Sequence, residues 1–172
     1  MSLTGKSIAI LTEDMFNEFE LIYPYYRLQE AGARVLVIGT AGGHAYHSKS
    51  GLGFTSDKGS GEVSAAEFDG LVIPGGYAPD HMRRHPATVQ LVKDIFAAGK
   101  PVAAICHAGW MLASAGVLAG RRCTSFFAIK DDLVHAGAQW EDAEVVVDGN
   151  LVTSRTPDDL PAFMRAYIGL FA

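Results

Sequence analysis

Short runs of consecutive apolar residues alternate along the chain with longer segments in which apolar positions recur every three or four residues. The first run, Ile8-Ala9-Ile10-Leu11, has no polar interruption, as expected of a strand covered on both faces in a parallel sheet. From Glu18 onward, Leu21, Ile22, Tyr25 and Leu28 follow one helical face, and Gly32 stands where that helix would stop. Residues 34–38 predict a second strand. Residues 40–64 are rich in Gly, Ser and His and keep no period, so only short strands or hairpins are expected there. Gly70-Leu71-Val72-Ile73 predicts another buried strand, ending in Pro74-Gly75-Gly76. Val89, Val92, Ile95 and Phe96 mark a helix closed by Gly99 and Pro101. Val102-Ala103-Ala104-Ile105 is a strand that runs directly into Cys106, and the Ala-rich stretch beyond reads as helix as far as Gly116.

Toward the carboxyl end, apolar runs at 144–147 and 151–154 flank Asp148-Gly149, a pair suited to a tight hairpin because its central positions require positive φ. Thr156 is placed to cap the last helix, with Pro157 in its first turn and Asp158 and Asp159 complementing the positive end of its dipole. The alternation predicts an α/β fold: a single domain over residues 1–172, with a mostly parallel, flavodoxin-like sheet flanked by helices on both faces and a short hairpin near the carboxyl end. Ligands of such sheets bind beyond the carboxyl ends of the strands.

Composition narrows the classes. A chain of 172 residues, 49% hydrophobic and 19% charged, suits one compact core, and no apolar stretch approaches the roughly 20 residues of a membrane span. The amino-terminal residues lead into a strand without the apolar stretch of a secretory signal, so a cytoplasmic protein is expected. Cys106 and Cys123 alone do not make a disulfide framework and would remain free thiols in a reducing compartment. A net charge of −5, with no basic cluster beyond Arg83-Arg84 and Arg121-Arg122, argues against a nucleic-acid partner.

Pro74-Gly75-Gly76 and Ile105-Cys106-His107-Ala108-Gly109 both lie at the carboxyl end of a buried strand and should open onto one crevice. In the second, a nucleophile type is followed by residues small enough to turn sharply into a helix, the logic of a nucleophile elbow. A cysteine at a helix amino terminus is stabilised as thiolate by nearby amides, so a lowered pKa is expected for Cys106. The competing reading is a buried structural cysteine. The Gly75-Gly76 turn and the amide of His107 supply backbone donors for an oxyanion. Cys123 lacks such a setting.

Other patterns carry less. His44 with His47, and His81 with His85, have spacings found in zinc sites but no third ligand, so no metal is expected. The glycines of residues 39–43 lack the spacing of a dinucleotide or phosphate loop, so no nucleotide cofactor is expected. Tyr23, Tyr25 and Tyr26 either face a partner subunit or pack within the monomer.

The chain resembles the ThiJ/PfpI superfamily, the DJ-one type of class I glutamine amidotransferase-like fold, and most of all its PfpI intracellular protease branch. The similar stretches are residues 20–24, 67–76 (Glu-Phe-Asp-Gly-Leu-Val-Ile-Pro-Gly-Gly), Ala104-Ile105-Cys106-His107, 129–132 and 142–150. The resemblance implies Cys106 as nucleophile, His107 as its base and Glu20 as a carboxyl group hydrogen-bonded to the sulfur, where burial would raise its pKa; a helix-start carboxylate complementing the dipole is the simpler role for Glu20. It also makes Asp80 the acid that orients a neighbouring subunit's histidine, although relatives carry the longer glutamate there; a plain surface-loop Asp is the alternative. Phe126 replaces a tyrosine of relatives, and Ala108-Gly109-Trp110 replaces Gly-Pro, with Trp110 either narrowing the pocket or filling the core. The implied activity is that of a cofactor-independent cysteine hydrolase or lyase on a small carbonyl or peptide substrate: an intracellular protease, glyoxalase or protein deglycase. The implied assembly is a homo-oligomer, dimer or hexamer, with the site near a subunit interface. A non-enzymatic stress sensor or chaperone-like protein acting through oxidation of Cys106 is the alternative.

Overall fold

The computed structural model describes residues 2–171. The chain builds β1 (Ser7–Leu11), α1 (Glu18–Glu30), β2 (Arg34–Gly39), β3 (Ala45–His47), β4 (Gly53–Thr55), β5 (Lys58–Gly59), β6 (Gly70–Ile73), α2 (Ala78–Met82) and α3 (Pro86–Ala97). It continues with β7 (Val102–Ile105), α4 (Gly109–Ala115), β8 (Arg122–Cys123), α5 (Lys130–His135), β9 (Gln139–Trp140), β10 (Val145–Asp148), β11 (Leu151–Ser154) and α6 (Leu160–Gly169).

Seven strands form the main sheet in the order β10-β11-β7-β6-β1-β2-β5. Every pairing is parallel except β10 with β11. The strands β6 and β7 are buried throughout, which explains their unbroken apolar character. Helices α1 and α6 pack together in one layer, and α2, α3, α4 and α5 make the other. The sheet grows from β1 to β2 in one direction and from β1 through β6, β7 and β11 in the other. The strand order therefore reverses between β1 and β6, and the loops leaving their carboxyl ends must diverge and leave a crevice.

Residues 40–64 resolve into the β3–β4 hairpin and the short edge strand β5. Two local expectations are corrected. Asp148 pairs with Leu151, so the two-residue turn is Gly149-Asn150, not Asp148-Gly149; Gly149 alone takes positive φ, at 60°. Asp148 prolongs its strand because its carboxylate accepts from the backbone of Arg122 at 2.9 Å. Thr156 precedes a 3₁₀ turn, Pro157–Asp159, but its side chain makes no capping bond. Asp159 serves the junction instead, accepting from the backbone N and Nε of Arg155 at 3.1 and 2.9 Å.

Candidate active site at the reversal of strand order

At the end of β1 the chain takes a left-handed turn at Met15, φ 68°. The carbonyl of Met15 then accepts from Tyr77 N at 2.9 Å, and Asn17 N donates to the carbonyl of Gly75 at 3.2 Å, so the β1–α1 and β6–α2 loops are stitched together. Asn17 caps α1, its side chain accepting from Phe19 N at 3.0 Å and Glu20 N at 3.4 Å. This geometry turns Glu20 inward, where it is fully buried and its Oε2 accepts from Gly75 N at 2.7 Å.

Glycine at 75 is obligatory. A Cβ there would stand 2.6 Å from Glu20 Oε2 and 2.7 Å from Cys106 Cβ, inside van der Waals contact. At the end of β7, Cys106 adopts φ 61°, the left-handed region that costs a non-glycine residue about 1–2 kcal/mol. Its carbonyl accepts from Phe126 N at 3.2 Å, and a 3₁₀ turn over Cys106–Ala108 leads into α4. The expected elbow is thus present and strained, as nucleophile turns are.

The sulfur lies 3.3 Å from Nδ1 of His107. The imidazole is clamped, with the ring of Phe126 stacked at 5.0 Å and Trp110 meeting it edge-on at 5.0 Å. Trp110 is itself anchored by Nε1 donating to Asp132 at 2.7 Å. It therefore braces the histidine and does not line the pocket. Phe126 does line it, offering a face where relatives have a hydroxyl.

The electrostatics correct one expectation. Burial, with the charge of an ionised Glu20 beside it, pushes the Cys106 thiol up to about 12, against the weaker pull of the Gly76 and His107 amides. The helix dipole loses because Cys106 is only 8% exposed and the turn and helix behind it are short. Burial likewise raises Glu20 to about 7, opposed by the Gly75 amide and Cys106. Two adjacent buried anions are unfavourable, so the pair does not ionise twice near neutral pH. When Glu20 carries the proton, the charge repulsion that helps raise the thiol vanishes. Glu20 Oε1 is buried without a hydrogen-bond partner, which also favours the neutral acid. Burial lowers the pKa of His107, with Lys49 adding to the effect, so its imidazole is neutral and able to accept a proton.

These groups line a cavity of about 440 Å³ shared with Met15, Asn17, Lys49, Tyr77, Thr156 and Pro157. The structure thus brings together Cys106, His107, Glu20, Gly75 and Gly76. Asp80 stands apart within the chain, on α2, in an ion pair with Arg84. Lys49 and Asn17 were not singled out in the sequence. Asn17 had a signal, an Asn immediately before a helical period; Lys49, in an aperiodic segment, had none. Cys123 is fully buried, and burial raises its thiol to about 11.

A family model described as the DJ-1/PfpI family matches residues 6–170. The chain belongs to the DJ-1/PfpI family. A protein from Pyrococcus abyssi named a deglycase is 50% identical over 168 residues, covering 95% of this chain and 98% of its own. The protein named Deglycase PfpI from Pyrococcus furiosus is 46% identical, with the same coverage of both chains. The crystal structure of a two-domain Anabaena variabilis protein, with dj-1/thij/pfpi-like and ferritin-like domains, superposes with a TM-score of 0.94 at 43% identity. The match covers 96% of this chain and 48% of that one. No helix among the described residues is long and apolar enough to cross a membrane.

Proposed function

We propose that this DJ-1/PfpI protein is a cofactor-independent hydrolase of carbonyl compounds, acting on a small 1,2-dicarbonyl or on the adduct such a carbonyl forms with a protein side chain. The observation that carries the reading is a strained cysteine, 3.3 Å from a neutral imidazole, opening into a cavity of about 440 Å³. That volume suits a small molecule or one modified side chain better than an extended peptide. The relatives named deglycase support the same choice over proteolysis.

In this reading the Cys106 thiolate, its proton held by Glu20 or His107, adds to the aldehyde carbon of R–CO–CHO. The carbonyl electron pair moves onto oxygen, where the amides of Gly76 and His107 receive it. The C–H proton of the resulting hemithioacetal is then removed and returned to the adjacent carbon. That shift oxidises the aldehyde carbon to a thioester and reduces the ketone to an alcohol. Water cleaves the thioester, releasing R–CHOH–COO⁻ and a proton. No outside oxidant or reductant is needed. Both cysteines stand as free thiols, which suits the cytoplasm as the setting. The assembly we propose is a homo-oligomer in which Asp80 approaches a neighbouring copy's imidazole.

Lactate formation from methylglyoxal, and from a methylglyoxal-modified peptide, tests the reading. Cys106→Ala should abolish it, by about a hundredfold or more. Equal lactate from wild type and variant would remove Cys106 from the reaction. No lactate from wild type, combined with ready oxidation of Cys106 by peroxide, would favour the sensor alternative.

A further inference from the structure

We infer that Lys49 forms an anion subsite beside Cys106, so that the carbonyl substrate selected by this pocket carries a carboxylate; the substrate half of this inference rests on the function proposed above.

Lys49 follows β3 and lines the cavity that holds Cys106, Glu20 and His107. Its backbone is fixed, with the Lys49 amide donating to the carbonyl of Phe16 at 3.2 Å. Ser48, beside it, is buried and hydrogen-bonds Glu18 Oε1 at 3.1 Å through its hydroxyl. The Ser50 amide donates to the same carboxylate oxygen at 3.2 Å. Glu18 is thereby occupied by the loop, and among the described residues the Lys49 ammonium makes no ion pair. Lys49 is exposed but lines the pocket, and an ammonium without an ion pair there attracts an anion, the more so at low ionic strength.

No other lysine or arginine stands in the lining. His107 is neutral for the reasons given above, and the field of Lys49 is felt there and at Glu20, lowering both. The amides of Phe19 and Glu20 in the first turn of α1 are not free to bind an anion, because Asn17 already accepts from them. Met15, Tyr77, Phe126 and Pro157 make the remaining wall largely apolar. One positive charge matches one carboxylate. A dianionic phosphate would call for a second cation, and the amides of Gly76 and His107 are already assigned to the reacting oxygen.

A suitable probe is 4,5-dioxopentanoate, a 1,2-dicarbonyl that bears a carboxylate; with one water it would yield 2-hydroxyglutarate and a proton by the sequence of steps above. Its kcat/KM should exceed that of methylglyoxal by about tenfold in wild type, and the ratio should fall to about one in Lys49→Gln and persist in Lys49→Arg. A second measurement needs no turnover: alkylation of Cys106 by anionic iodoacetate and neutral iodoacetamide, followed by mass spectrometry of the Cys106 peptide. The iodoacetate-to-iodoacetamide rate ratio should stand about fivefold above that of glutathione, drop to the glutathione value in Lys49→Gln, and shrink in about 0.5 M salt. The same alkylation ratio in wild type and Lys49→Gln would overturn the subsite. A Lys49-dependent alkylation ratio with turnover of neither dicarbonyl would sink the function and the substrate, and leave Lys49 as an anion site. Stronger protection of Cys106 by inorganic phosphate than by acetate would replace the carboxylate with a phosphate.

Discussion

Glu20 and Cys106 both hold their protons to higher pH than they would in water, because burial disfavours both anions. The pair exists because Gly75 has no side chain and lets the carboxyl and the sulfur converge. Burial lifts Glu20 from 4.5 to about 7, so the folded state binds a proton that the unfolded chain releases near pH 4.5. Stability from the protonated form is therefore complete below about pH 4.5 and is lost as pH rises through about 7, a change of about 3 kcal/mol. Glu20→Gln, which stays neutral, should be comparable to wild type at pH 4.5 and gain on it steadily up to pH 8. Urea unfolding at three pH values reads this directly, and parallel curves for the two proteins would refute the buried acid. At this scale the turn at Cys106 was legible, because its residue types and its place at a strand end are local facts, whereas the roles expected of His107 and Glu20 came from the family resemblance. The direction of the thiol's pKa was not legible, since it depends on how much protein covers the sulfur.

Among the elements, the β11–α6 junction decides where Thr156 and Pro157 stand in the pocket wall. Asp159 holds that junction through Arg155 while 4% exposed. Its own burial pushes its pKa up, but the Arg155 hydrogen bonds prevail and hold it below the usual carboxylate range. Asp159→Ala should destabilise the protein by about 2 kcal/mol at pH 7. The gap should narrow in acid, because this stabilisation is present above the ordinary value of 3.8 and lost as pH falls through the lower folded value. A gap that stays constant down to pH 2 would show that the ion pair contributes nothing. The long buried strands and the helices α1, α3, α4 and α6 were readable from period, whereas the short elements α2, β8, α5 and β9 were not, because two to six residues carry too little periodicity. The shift at Gly149 came from a distant segment, Asp148 reaching Arg122, whereas at Thr156 a neighbour four residues from Arg155, Asp159, took over the junction.

Across the whole molecule, the outer side of α1 is the feature the monomer leaves unexplained. Tyr25 packs inward against Phe54, but Phe19 is 66% and Tyr26 62% exposed. With Tyr23 and Leu52 they line a groove of about 870 Å³. Apolar surface of this kind favours association, and a second copy on α1 is the arrangement expected for the proposed homo-oligomer. Phe19→Glu with Tyr26→Glu should shift sedimentation toward the monomer, and an unchanged mass would place the interface elsewhere. The order of strands and helices, the elbow at Cys106 and the Gly-Gly turn opposite it were dictated by neighbouring residues, through periodicity and through backbone conformations that only certain side chains tolerate. The 440 Å³ cavity, the arrival of Lys49 in its wall, the clamping of His107 by Phe126 and Trp110, and the raised pKa values of Glu20 and Cys106 arose only when distant segments met. Burial and electric field are properties of what surrounds a group in space, and a chain read residue by residue does not contain them.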